Sequence, residues 1–160
     1  MRNLDAALGI EPAELVRVDE MPLPKHLVRE GDIIFRSRAV KSFDGTLIDF
    51  EPNNVIVASP LIVITPQQNK VLPAYLNWFI NQHITQSHFQ NHAKGTAVRM
   101  VGKKALEALL VKLPSLGQQA AIVKLVSLAA EEQRLLRVLG KKRKQYMEDI
   151  LMQMASKPQR

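Results

Sequence analysis

Residues 113–154 read LPSLGQQAAIVKLVSLAAEEQRLLRVLGKKRKQYMEDILMQM, and this stretch constrains the fold more than any other. Apolar residues recur at Ile122, Leu125, Ala129, Leu136, Leu139, Tyr146, Ile150 and Met154. Steps of three and four put them on one stripe of a helix. Ser115 followed by Gln118 fits a capping box, in which the hydroxyl accepts an orphan amide of the first turn and the Gln side chain reaches back. Pro114 disfavours helical geometry at the residue before it, which sharpens the boundary. The spacing predicts a helix over 115–155, roughly 60 Å long at about 1.5 Å per residue. A small domain is no wider than that, so part of the helix is expected to project, and a projecting apolar stripe needs a partner. The competing reading, a terminal helix folded back on its own domain, suits a shorter element. Gly140 costs about 1 kcal/mol in a helix interior, and it marks either a bend or a close approach between helices.

The 160 residues fit one compact domain or a small domain with an arm. Hydrophobic residues make up 46% of the chain, enough for a core. With no cysteine, disulfides, thiolate metal sites and cysteine nucleophiles are excluded. No apolar run is long enough to span a bilayer, and the N-terminal stretch lacks the unbroken apolar core of a signal peptide, so a cytoplasmic protein without a membrane partner is expected. The formal net charge of +7 favours an anionic partner, nucleic acid being the commonest, over a surface that is merely soluble and basic.

Residues 1–14 read as a short helix broken at Pro12, and LVRV (15–18) as a strand before the Pro-punctuated MPLPKH. Gly31 and Asp32 suit a tight turn, and Ile33, Ile34 and Phe35 a buried strand. Asp44–Gly45 is a hairpin signal. VIVASPLIVITP (55–66) is the strongest β signal, interrupted at Ser59–Pro60, hence two short strands or one kinked strand. Pro73 opens a helix whose buried face is expected at Leu76, Phe79, Ile80, His83 and Ile84, with Tyr75, Trp78 and Phe89 as an aromatic flank. Gly95 is expected to be its left-handed cap. An extended AVRMV (97–101), a short helix after Gly102 and a brief strand VKLP (111–114) complete the head. The expected organisation is a mixed α/β (α+β) head over 1–114 and a helical arm over 115–157.

Catalytic constellations are sparse. His88 and His92 stand four apart on one helical face, as metal ligands can, but no carboxylate lies between them, and two surface histidines at a helix end are the simpler reading. His83, on the expected apolar face, reads as a core histidine. Asp44, Asp49 and Glu51 form an acidic cluster beside a turn, where acids are common for local reasons. No Gly-rich phosphate cradle is present. The residues argue against an enzyme.

The basic residues concentrate in three places. Arg36, Arg38 and Lys41 follow the first strand with no acid between them. Lys94, Arg99, Lys103 and Lys104, with Thr96 among them, form a second acid-free run. Phosphate contacts need such local excess, and arginine also reads guanine edges with two hydrogen bonds. The third cluster, KKRK at 141–144 with Arg134 and Arg137 nearby, reads as a solvated helix face or a contact to an acidic protein.

Taken together, HLVREGDIIFRSRA (26–39), LPAYLNWFIN (72–81), AKGTAVRMV (93–101) and above all LEALLVKLPSLGQQAAIVKLV (106–126) resemble the specificity subunits of type I restriction–modification enzymes. Pro114, Leu116, Gln119, Ile122 and Val123 match that family's apolar–Pro–x–Leu–x–x–Gln–x–x–Ile–Val pattern, which closes a target-recognition domain and starts its long helix. The resemblance implies a mixed α/β recognition domain with an attached helix, double-stranded DNA as ligand, and no chemistry of its own. It implies a methyltransferase subunit as partner, which brings S-adenosylmethionine, and a restriction subunit as an optional further one. Most members carry two such units whose helices pair antiparallel. This chain carries one domain and one helix, so it looks like half a subunit, and two copies pairing through Leu125, Ala129, Leu136, Leu139, Tyr146 and Ile150 would restore the two-domain form. Such a homodimer would read an inverted repeat, since two-fold symmetry in protein implies it in the target. Arg36, Arg38, Lys41, Lys94, Thr96, Arg99, Lys103 and Lys104 are the expected DNA contacts. The alternative is a dimeric adaptor or decoy that occupies the methyltransferase through its helix without reading DNA.

Overall fold

The computed structural model describes residues 27–156. The expected N-terminal helix and the LVRV strand lie outside them. The chain divides into two compact units, one ending at Ala120 and the other beginning at Ala121.

In the first unit the central strand is β1 (Ile33–Arg36). It pairs antiparallel with β3 (Gly45–Leu47) on one side and β4 (Leu61–Ile64) on the other. Ile33, Ile34 and Phe35 are all buried. Alternation fails here because a middle strand is covered on both faces, which is why three apolar residues stand consecutively. Each such side chain contributes about 1.5–3 kcal/mol of apolar burial. A second sheet of two strands pairs β2 (Arg38–Ala39) with β5 (Arg99–Met100). Helices α1 (Pro73–Ile80), α2 (His83–His92) and α3 (Lys103–Glu107) pack into the same unit. The core joins Ile33, Phe35, Phe43, Ile80, Phe89 and Val101. Phe35 and Phe89 lie with ring centroids 4.9 Å apart.

The sequence predicts one helix from Pro73 to Lys94, and the structure breaks it. Asn81 ends α1 and Gln82 is extended, at φ −73° and ψ 147°. The cause is side-chain bonding to backbone groups distant in the chain. The Asn81 amide donates to Gly45 O at 2.8 Å, and its Oδ1 accepts the Gly45 amide at 3.0 Å. Gln86 grips Phe43 in the same two-way fashion, at 2.9 and 3.0 Å. The break resets the helical phase. Thr85 and Phe89 are buried in α2, whereas His83 and Ile84 are exposed. The expected buried positions for His83 and Ile84 are therefore wrong, and so is a flank uniting Phe89 with Tyr75 and Trp78. Tyr75 stacks near Trp78 at 5.5 Å, while Phe89 belongs to the sheet core.

Two turn expectations and one strand expectation also change. Asp44–Gly45 is not a hairpin tip: Gly45 opens β3, pairs with Phe35, and lacks room for a side chain because a Cβ would lie 3.0 Å from the Ile80 side chain and 3.1 Å from Asn77 Oδ1. Gly95 is left-handed, with φ +108°, yet it caps nothing. α2 ends at Ala93 in extended geometry, and Gly95 turns the 94–100 loop, whose ends exchange Lys94 and Met100 hydrogen bonds at 2.8 and 2.9 Å. VKLP (111–114) forms no strand. The split at Ser59–Pro60 stands: Ile56 makes an isolated bridge to Leu27, and β4 follows.

Helix α4 runs unbroken over Leu116–Ala155, 40 residues. Its capping box is formed. Ser115 Oγ accepts the Gln118 amide at 3.3 Å, and Gln118 Oε1 accepts the Ser115 amide at 3.2 Å. Gln119, one residue on, is fully buried in the first unit. From Ala121 to Ala155 the second unit is helix, and the stripe residues Leu125, Leu136, Leu139 and Tyr146 are all more than half exposed. Gly140 leaves the helix continuous, and no atom of the described residues outside its own turns lies within 4 Å of where its Cβ would be.

Candidate nucleic-acid interface

Two basic segments sixty residues apart in the chain meet in the β2–β5 ribbon. The register sets Arg38 opposite Met100 and Ala39 opposite Arg99. Lys94 bridges to Met100 from the other side. Residues in register share a face of a pleated sheet, so Arg38 and Lys94 flank Met100 in one row. All three are exposed. Ala39 points inward at 8% exposure and anchors the ribbon to the core. Val101 then donates its amide to Ser37 O at 2.8 Å, which closes the ribbon against β1.

The remaining cations lie on the same and adjoining segments of the chain. Arg99 donates through its guanidinium to Gln90 O, so its side chain is tied to the end of α2. Lys41 is exposed, and its carbonyl accepts from Gln90 Nε2 at 3.4 Å. Gln90 thus links both basic segments. Thr96 is exposed on the 94–100 loop. Lys103 and Lys104 occupy the first turn of α3, and the side chain of Lys103 lies 3.6 Å from Glu107 across one turn. An exposed pair of that kind is worth little and leaves the ammonium available. Arg36 is half-buried, with Asp44 at 3.9 Å.

Two of these cations pair with acids among the described residues, Arg36 with Asp44 and Lys103 with Glu107. Asp44 is further occupied by Ser42 Oγ at 2.8 Å. Asp49 and Glu51 are exposed and join no ion pair among the described residues. A catalytic carboxylate cluster is not assembled.

The two histidines are accounted for by backbone contacts. His88 Nε2 lies 3.2 Å from Ala105 O, and His92 Nδ1 lies 2.8 Å from His88 O. Both nitrogens are donors in these contacts, and the rings stack at 4.3 Å. Among the described residues no third histidine, cysteine or carboxylate gathers with them to hold a metal ion. No helix among those residues is long and apolar enough to cross a membrane.

Sequence reasoning missed Gln90, because a lone glutamine late in a helix carries no pattern. Nor does it join the two basic runs. The extended AVRMV reading signalled a strand there, but not its partner.

No family model matches the sequence, and no curated protein is similar enough to count as a relative. Among solved structures, the HsdS subunit from Thermoanaerobacter tengcongensis is similar over 95% of this chain, with a TM-score of 0.64 and 23% sequence identity. The likeness spans 39% of that subunit, so the chain corresponds to well under half its length. A mixed α/β head with small antiparallel sheets and a long C-terminal helix is thus a fold that this chain shares with part of the HsdS subunit.

Proposed function

We propose that this chain is a DNA-recognition subunit of a type I restriction–modification system, in the form of a half-subunit, and that it carries out no chemistry itself. The observation that carries the reading is the β2–β5 pairing, which brings Arg38 and Lys94 into one exposed row. Cations held on a ribbon suit phosphate contacts, since each neutralised phosphate releases counterions and the rigid backbone fixes the register on the duplex. In this reading Arg38 and Lys94 lead the contacts, Lys41, Thr96, Lys103 and Lys104 add to them from the adjoining segments, and Arg36 and Arg99, both half-buried, contribute from beside the row. The fold shared with part of the HsdS subunit supports the same reading.

In this proposal the long helix covers its stripe with a second copy, through Leu125, Ala129, Leu136, Leu139, Tyr146 and Ile150. The pair docks a methyltransferase subunit, and S-adenosylmethionine enters with that subunit. A restriction subunit joins the same assembly where one is present.

The test is duplex binding and site-specific methylation by the purified chain with its methyltransferase partner. The expected result is binding that weakens steeply with salt, together with preference for one split, inverted-repeat site. Absence of any duplex preference at low salt would overturn the proposal. Unchanged methylation specificity after charge reversal at Arg38, Lys94 and Arg99 would point instead to an adaptor that does not read DNA.

A further inference from the structure

The exposed stripe of α4 is interrupted by two charges, and their placement selects a partner. Following the stripe in alternating steps of four and three gives Leu125, Ala129, Glu132, Leu136, Leu139, Arg143, Tyr146 and Ile150. This is the seam of a seven-residue repeat. The outward positions of the same repeat, Ser127, Arg134, Lys141 and Glu148, are all polar. Glu132 and Arg143 are the two charged residues of that seam between Leu125 and Ile150, and both are exposed. Neither takes part in an ion pair among the described residues, although Glu131, Arg134 and Lys144 nearby do. A partner that buries the seam must therefore answer a carboxylate and a guanidinium at two fixed heights.

We propose that the partner is a second copy of this chain, laid antiparallel about a two-fold axis between Arg137 and Val138, and that Glu132 of each copy pairs with Arg143 of the other to set the register. This rests on the dimeric reading above and deepens it by naming the residues that choose orientation and alignment. In that one alignment every layer matches. Leu125 meets Ile150, the small Ala129 meets the large Tyr146, Glu132 meets Arg143, and Leu136 meets Leu139. Each layer then recurs by symmetry on the other side of the axis.

The alternatives are penalised by the same two charges. A slip of one repeat sets Glu132 against Leu136 or Ile150, and Arg143 against Leu125 or Leu139. Each charge is then buried without a partner, which is far more costly than a paired one. A parallel pair in register stacks Glu132 on Glu132 and Arg143 on Arg143, so like charges oppose each other in both layers. Buried polar positions that fix register at some expense of stability are a known device of helical seams. Arg presents a planar fork that can grip a carboxylate through two parallel bonds, so the pair specifies geometry as well as sign.

Two experiments on the full chain test this. The first is charge exchange, read by sedimentation equilibrium. Glu132→Arg alone or Arg143→Glu alone is expected to weaken self-association at least about tenfold, since each leaves two like-charged layers. An equimolar mixture of the two variants restores both layers and is expected to associate as the parent does. Circular dichroism verifies that each variant keeps its helix. The second is distance measurement between spin labels. The chain contains no cysteine, so single cysteines can be placed cleanly at Lys124, Lys141 and Gln145. Antiparallel alignment on the stated axis gives axial separations of about 40, 10 and 22 Å at about 1.5 Å per residue. A parallel pair gives one short separation, about 10 Å, at all three.

A parent chain that stays monomeric across the accessible concentrations, equal distances at the three sites, or a mixture that fails to associate would each overturn the proposal. A monomer that binds a helix of another protein through the same seam would do so too. Failure here is separable from failure of the DNA-recognition reading. A dimer in another register that still selects a duplex sinks only the register. A dimer in this register without duplex preference sinks only the recognition function.

Discussion

Gln119 Oε1 accepts the backbone amide of Leu72 at 2.9 Å, and the same side chain donates to Lys70 O at 3.1 Å and Pro114 O at 2.8 Å. The start of α4 is thereby fastened to the loop that precedes α1 by a fully buried amide whose donors and acceptor are all engaged. A primary amide is the smallest side chain that can meet a backbone N–H and two carbonyls together. Replacement with Ala strands one backbone donor and two acceptors. Gln119→Ala should lower unfolding free energy by about 1–3 kcal/mol in urea titration, and Gln119→Leu by a comparable amount despite its better volume. The nearby Gln118→Ala, which removes an exposed capping contact, should cost about 1 kcal/mol or less.

Gly45 and Gly117 should respond in opposite directions to alanine. At Gly45 the new methyl meets Ile80, Asn77 and Ile33 at 3.0–3.2 Å inside a filled core. Overpacking of that kind costs about 1–3 kcal/mol. At Gly117, in the first turn of α4, no such neighbour lies within 4 Å. There the lower unfolded-state entropy and better helix propensity should raise stability by up to about 1 kcal/mol. Thermal melts of the two variants check both signs.

Tyr75 makes stability fall on the alkaline side. Its hydroxyl donates to Lys112 O at 2.7 Å, and burial raises its pKa above 10.0. The folded state thus holds the phenolic proton more tightly than the unfolded chain. Its contribution is complete below about pH 10, where the unfolded phenol titrates, and is lost as pH rises through the folded value. Tyr75→Phe should cost about 0.5–1.5 kcal/mol at neutral pH. It should also flatten the alkaline decline, which pH-dependent denaturant titrations measure.

What the sequence revealed depended on whether the cause was local. The capping box at Ser115 and Gln118, the turn at Gly31, the buried Ile33–Phe35 run and the extent of α4 all follow from neighbours within a few residues. The break between α1 and α2 does not. It arises because Asn81 bonds Gly45, 36 residues away. Periodicity ran on through the break, so His83 and Ile84 were assigned to a face they do not occupy. Gly95 shows the same limit: its positive φ was legible, but the loop it serves is closed by Lys94 and Met100 rather than by the helix end. In the candidate site each basic run was readable, and their meeting was not, because strand pairing between Ala39 and Arg99 leaves no mark in either segment alone.

The ribbon face and the helical KKRK run separate in their response to salt. If Arg38 and Lys94 each contact one phosphate, Arg38→Ala and Lys94→Ala should each weaken binding to every duplex and reduce the slope of log affinity against log salt by about 1. The double variant should lose about 2, because counterion release at separate phosphates adds. Lys104→Ala, on the first turn of α3, should behave like the single variants. Lys141→Ala should leave the slope unchanged, since Lys141 belongs to the outward positions of the α4 repeat and not to the ribbon. Gly95→Ala tests the scaffold rather than the charge. A Cβ there would sit 2.6 Å from Val98 O on a residue with φ +108°, so the 94–100 loop must deform. Binding should weaken while every cation is retained, and the slope should fall only to the extent that Lys94 and Arg99 lose their positions. Equilibrium titrations of a labelled duplex between about 50 and 200 mM salt measure all six slopes; a full-strength slope in the double variant would show that the ribbon does not carry the phosphate contacts.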